Sequence, residues 1–198
     1  MVRPDVIIGS PPFSYRALAR KFPWMTLDDV VAGSFGPRDE GWFDNMGLLN
    51  GFRAAAIARG AVFLRDEVVG MTREAGRITG VTLKSGGTVG AGQVLCAAGT
   101  GATAVCAMAG ADLPVEPRKR TVFVIDAPNA RHPDAPLIID QSGIYLRPEH
   151  GQWITATVPV EDGPCAPHDW EPDHAQFENL IWERLYNRSE GIDAVKVI

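Results

Sequence analysis

The apolar run Val94-Leu95-Cys96-Ala97-Ala98 passes into Gly99-Thr100-Gly101-Ala102-Thr103-Ala104, a G-x-G-x-x-A spacing. Glycines so spaced let a strand turn sharply into a helix and bring main-chain N–H groups against a pyrophosphate. That chemistry also needs an acidic residue about 20 positions on, to hold ribose hydroxyls. Here the corresponding region reads Pro117-Arg118-Lys119-Arg120, which is basic. The helix after the turn is brief as well, because Thr103–Met108 runs into Ala109-Gly110-Ala111-Asp112-Leu113-Pro114. The stretch is a poor match to a primary phosphate turn, and a glycine turn that ends a buried strand for packing alone is the plain alternative.

Other reactive side chains exclude more than they offer. Cys165, His168, Asp173 and His174 are metal-capable, yet their spacing fits no zinc pattern and Asp173 suits a helix cap, so no metal is expected. Neither G-x-S-x-G nor H-E-x-x-H occurs, which leaves a hydrolase without nucleophile or metal. The three cysteines form no C-x-x-C pair and point to reduced thiols in a cytoplasmic setting. A net charge of −5, with Arg118-Lys119-Arg120 as the sole basic cluster, argues against nucleic acid as a partner. No apolar run approaches the ~20 residues of a membrane span.

The elements that must position these groups follow from periodicity. Tyr15, Leu18, Ala19 and Phe22 make one helical stripe stopped by Pro23. Asp44 is placed to cap a helix that presents Leu48, Phe52, Ala55 and Ala56 on one face and ends at Gly60. The apolar run 61–64 is too short for a helix and reads as a buried strand. "EVVGMTR", "RITGVTLK" and "TVGAGQVLCAA" are β-rich runs separated by turn residues, an antiparallel meander. Segments 61–65 and 93–97 are expected to be neighbouring parallel strands. From Val115 the runs "TVFVID", "PLIID", "GIYLRP" and "QWITATV" predict a second, antiparallel layer, with a domain change near Pro114 that divides the chain into 1–114 and 115–198. Asp173 and Gln176 form a D-x-x-Q capping box ahead of a helix burying Phe177, Leu180, Ile181 and Leu185. The closing run "DAVKVI" is strand-like, with nothing after it to pair with.

In this order, the segments from "GWFDNMGLLNGF" through "VLCAAGTGA", then "LPVEPRKRTVFVID", "GIYLRP" and "FENLIWERLYNRSEGIDAVKV", resemble the middle of FAD-dependent oxidoreductases of the D-amino-acid oxidase, glycine oxidase and sarcosine oxidase family. The resemblance runs over nearly the whole chain. It implies an α/β fold with α+β character in the second layer: part of a Rossmann-like FAD domain with a β-meander, plus an antiparallel-sheet substrate domain. It also implies FAD as cofactor and a small amine or amino acid as substrate.

Carried over by position, Val68 resembles the family valine whose backbone lies beside the adenine, although a strand valine needs no such role. Ala97, Ala98, Gly99 and Thr100 resemble the A-A-G turn, where lack of side-chain bulk lets the main chain touch FAD. The family often has an aromatic residue where Gly101 stands, which alters the local pocket. Tyr145 resembles the strand tyrosine facing a substrate carboxylate, the alternative being a half-buried sheet tyrosine. Arg147 alternates with it on the same strand face as a further anion contact. No side chain here is required as acid or base. The family's G-x-G-x-x-G turn would precede Pro12 and its glycine-rich FAD segment would follow "DAVKVI", so an interior fragment, inactive alone, is expected. Two function classes stay open: the central part of an enzyme oxidising a C–N bond, or a non-catalytic remnant whose unpaired strands bind a partner or self-associate.

Overall fold

The computed structural model describes residues 12–36 and 41–198. In chain order the first elements are β1 (Pro12–Ser14), α1 (Tyr15–Lys21), β2 (Ala32–Ser34), α2 (Asn45–Ala58), β3 (Val68–Glu74), β4 (Arg77–Leu83) and β5 (Thr88–Gly90). A 3₁₀ turn, Gly99–Gly101, then leads into α3 (Ala102–Met108). They are followed by β6 (Val122–Asp126), β7 (Ile138–Ile139), β8 (Ile144–Glu149), β9 (Gln152–Thr157), a π-helical turn Phe177–Ile181 continuing as α4 (Trp182–Arg188), and β10 (Lys196–Val197).

These elements make two compact units that are not contiguous in sequence. One gathers the described residues of Met1–Trp42 with Arg120–Asp162 and Glu171–Ile198; the other holds Phe43–Lys119 and Gly163–Trp170. The units are drawn differently from a single division at Pro114: the chain crosses between them at Lys119–Arg120, and the N-terminal segment belongs with the later strands.

The first unit is built on a five-stranded sheet of order β10-β6-β9-β8-β7, antiparallel throughout. Alternation along its strands sends Phe123, Ile125, Ile144, Leu146 and Trp153 into one core with Phe177, Ile181 and Leu185 of the long helix. Those three helix residues recur every fourth position, a spacing that drifts around an ideal helix of 3.6 residues per turn. The wider π turn over Phe177–Ile181 offsets that drift. As expected, Asp173 opens the helix: its Oδ1 accepts from Ala175 N at 3.1 Å and its Oδ2 from Gln176 Nε2 at 3.2 Å. The closing run does find a partner, contrary to expectation. Lys196 and Val197 pair with Asp126 and Ile125 of β6, a strand some 70 residues earlier that no local pattern could nominate.

The N-terminal segment is tied to this unit by charge. Arg188, 4% exposed, ion-pairs through Nε with the buried Asp140, donates to both carboxylate oxygens of Asp29 at 2.9 Å, and donates to the Thr26 carbonyl at 2.5 Å. The guanidinium bonded to Asp29 lowers that carboxyl to about 2.

In the second unit the meander forms as the sequence predicts, β3-β4-β5 antiparallel. Ala75 (φ 46°) and Gly76 (φ 80°) make the turn between the paired residues Glu74 and Arg77, the positive-φ geometry a two-residue hairpin loop demands. The cap of α2 is also as predicted: Asp44 Oδ1 accepts from Gly47 N at 2.8 Å. Its end is a Schellman turn at Gly60 (φ 92°), with Ala61 N donating to Ala56 O at 3.0 Å and Gly60 N to Ile57 O at 2.9 Å.

The expected parallel pair is not there. Residues 61–65 and 93–97 are not strands and pair with no described segment, and Val62 is 82% and Leu95 91% exposed. Composition makes these runs apolar, but a parallel strand is stable only when both faces are covered and its ladder has a partner.

Candidate functional site

On β8 the alternation that buries Ile144 and Leu146 turns Tyr145, Arg147 and Glu149 to the opposite face of the sheet. The register sets their neighbours. Tyr145 lies between Ile139 and Ala156, with Val122 beyond, and Arg147 lies beside Ile154, with Val124 beyond. The floor around the phenol and guanidinium is thus aliphatic. Tyr145 is half-buried, and burial pushes its phenol up while the nearby Arg147 charge pulls it down, for a net rise. The hydroxyl stays protonated at neutral pH and is available as a donor.

Arg147 is not alone. Its guanidinium ion-pairs with Glu149, two residues on, and also donates to the Pro148 carbonyl at 3.5 Å. The hydrogen bond from Arg147 to the Glu149 carboxylate, with smaller contributions from the Arg147 and His150 charges, holds the Glu149 carboxyl below its ordinary value. The hairpin explains why His150 is there. His150 (φ 48°) and Gly151 (φ 82°) are the loop between the paired residues Glu149 and Gln152, and this left-handed backbone puts His150 Nδ1 at 2.9 Å from Glu149 Oε1. Sequence reading missed Glu149. Its signal was present, since a carboxylate two residues beyond an arginine on a strand shares its face.

In the other unit, Ala97, Ala98, Gly99 and Thr100 are all exposed. The turn is closed by its own main chain, Gly101 N donating to Ala98 O at 3.0 Å and Ala102 N to Gly99 O. Gly99 has φ 55°, the left-handed region that glycine occupies at least cost, and a Cβ built there meets nothing within 4 Å. The residues therefore fit a group that lies against main chain: the turn carries little side-chain bulk and the space above Gly99 is open. No protein atom crowds Gly99. Val68 is half-buried at the start of β3, opposite Leu83, next to an irregularity in the ladder before Gly70. Thr103 anchors α3 by donating to the Val115 carbonyl at 2.7 Å.

Cys96 and Cys106, ten residues apart, come together across this turn. Partial burial pushes the Cys106 thiol up, and its contact with Cys96 adds to the rise. No C-x-x-C motif announces such a pair, because the fold-back of α3 creates it. All three cysteines are free thiols. Among the described residues no cluster of metal-ligating side chains forms, and no helix is long and apolar enough to cross a membrane.

An antiparallel sheet packed on one helix, a β-meander, and a glycine turn between an apolar run and a short helix are the elements of a mixed α/β fold shared with FAD-dependent oxidoreductases. The family model for FAD dependent oxidoreductases matches residues 12–197, and the chain belongs to that family, whose cofactor is FAD. It is 33% identical over 211 residues to FAD-dependent oxidoreductase domain-containing protein 1 of Xenopus laevis, covering 91% of this chain and 42% of the relative. The Bos taurus protein of the same name is 30% identical over 211 residues, with 91% and 43% covered.

Among solved structures, L-proline dehydrogenase from P. horikoshii superposes with a TM-score of 0.80 at 22% identity, over 96% of this chain and 50% of that one. Glycine oxidase from Bacillus cereus gives 0.63 at 18% identity, again over 96% and 50%. The chain spans less than half the length of these curated relatives and half that of the solved structures.

Proposed function

We propose that this chain is the substrate-facing and adenosine-facing part of a flavoenzyme that oxidises the C–N bond of an amino acid or secondary amine. The observation that carries the reading is the face of β8: a protonated phenol and a guanidinium side by side on an aliphatic sheet floor. An amino acid is a carboxylate with a small apolar or amine-bearing remainder, and this face offers a hydrogen-bond donor to the first and aliphatic contact to the second. The neighbours in fold, named for L-proline, glycine and iminodiacetate, are consistent with that substrate class.

In this reading a bound FAD would supply the redox chemistry, as acceptor of the hydride equivalent. The protein's own residues bind and orient. Tyr145 donates its O–H to the substrate carboxylate, and Ile139, Ala156 and Val122 give it aliphatic neighbours. Arg147, paired with Glu149, lies beside it on the same face. Val68 and the main chain of Ala97, Ala98, Gly99 and Thr100 would hold the cofactor. No side chain of this chain is assigned a proton transfer.

The test uses the full-length protein with amines and amino acids screened for turnover. Tyr145→Phe removes one hydroxyl, and loss of a hydrogen bond to a charged carboxylate, about 1.5 to 3 kcal/mol, lowers kcat/KM by roughly ten- to over a hundredfold with flavin content unchanged. Gly99→Val places a branched side chain at positive φ, where the cofactor would lie, and lowers bound flavin. Unchanged kinetics in Tyr145→Phe together with full flavin occupancy in Gly99→Val would remove this assignment.

A further inference from the structure

The Arg147–Glu149 pair bears on which substrates this face can hold, an inference that rests on the sheet face being the substrate site. We propose that Glu149 is a specificity-determining residue: its carboxylate occupies the Arg147 guanidinium, so the arginine is screened from substrate carboxylates and the anion contact falls to Tyr145.

The argument is one of geometry and charge. Tyr145, Arg147 and Glu149 are successive residues of one face of β8. The guanidinium is already engaged by a carboxylate from its own strand, at side-chain exposures of 29% and 23%, so the pair is neither solvated freely nor deeply buried. A substrate carboxylate reaching Arg147 has to displace Glu149 or accept its repulsion. An internal carboxylate one strand position away needs no translational entropy to bind, so it outcompetes a dilute external one. Glu149 is itself held on two sides, by Arg147 and by His150 at 2.9 Å, with the His150-Gly151 turn fixing that second contact. Near this end of the sheet Arg131 pairs with Asp126 at 2.5 Å and donates also to the Gly151 carbonyl, while Lys196 stands across from Asp126 on β10, three strands from β8. The charges next to the phenol on β8 itself are therefore paired, Arg147 with Glu149. The face suits a substrate with a single carboxylate bound by a hydrogen bond more than a dicarboxylate that needs a free cation.

The experiment uses the full-length, FAD-loaded protein and two probes of matched size, propionate and propylamine, with affinity measured by titration calorimetry. Glu149→Gln keeps the shape and removes the carboxylate charge that neutralises the guanidinium. Propionate should bind about tenfold or more tightly, the expected worth of a new charge-assisted hydrogen bond, while propylamine changes by less than about twofold. Adding Arg147→Met to Glu149→Gln should abolish the gain and return propionate to within about twofold of wild type. Glu149→Asp, which keeps the charge, should behave as wild type.

Propionate affinity unchanged in Glu149→Gln overturns the inference, as does a gain that survives Arg147→Met. Should the single variant fail to fold, the double variant decides alone: a tenfold loss of propionate affinity against wild type would show that Arg147 was free to bind it all along. Tyr145→Phe separates this from the underlying reading. Weaker propionate binding in Tyr145→Phe with no gain in Glu149→Gln would sink only the role of Glu149, whereas no change in any of the variants would sink the substrate face itself.

Discussion

The two compact units contain similar local patterns and treat them differently. In the first, the helical stripe Phe177, Ile181, Leu185 is almost wholly buried against the sheet. In the second, α2 has a cap, a Schellman stop and an apolar stripe of the same kind, yet none of its residues is buried, and Phe52 is 69% exposed. The apolar runs after it, around Phe63 and Leu95, are likewise exposed. Local signals decide whether a helix starts and stops. Whether its stripe becomes core depends on an opposing surface, and in the second unit no described element supplies one for α2. The stability carried by the described residues is therefore concentrated in the first unit, and side-chain deletions should sort accordingly.

The largest effect is expected at Arg188. Arg188→Met removes the partner of the buried Asp140 and the clamp on Asp29 and Thr26, and breaking a buried pair from one side costs about 3 to 5 kcal/mol. Urea denaturation of the full-length protein reads this directly. A loss below about 1 kcal/mol would mean the network does not hold the N-terminal segment. Next comes Leu185→Ala, a fully buried side chain whose truncation costs about 2 to 5 kcal/mol on the same measurement.

A smaller effect belongs to Asp29. Its carboxyl titrates at about 2, below the ordinary carboxylate value near 3.9, so its contribution is complete above about pH 4 and is lost as pH falls toward 2. With its side chain 58% exposed, solvent screening limits that contribution to about 1 kcal/mol or less. The stability gap between wild type and Asp29→Asn should therefore close over that window. A gap that is constant down to pH 2 would show that the ion pair contributes nothing through charge. The smallest effect is Phe52→Ala in the full chain, within about 0.5 kcal/mol if its ring stays exposed. A loss of 2 kcal/mol or more would show that α2 is covered after all, and the contrast between the units would disappear.

Much of the local structure was legible before any coordinates. Asp44 and Asp173 as caps, Gly60 as a stop, Ala75-Gly76 as a hairpin turn and the alternation of Tyr145 with Arg147 all follow from interactions within a few residues. Near-neighbour sterics and hydrogen bonds are encoded where they act. The family resemblance was legible for a related reason, since it is carried by the order of such segments.

Three things were decided only by tertiary structure. The closing strand paired with β6, the apolar runs 61–65 and 93–97 stayed unpaired, and Arg188 and Cys106 came to rest against Asp140 and Cys96. Strand partners are chosen by register across long loops and by what remains to be covered, and a side chain's ionic partner is chosen by distance in space. Sequence spacing constrains neither until the chain has folded.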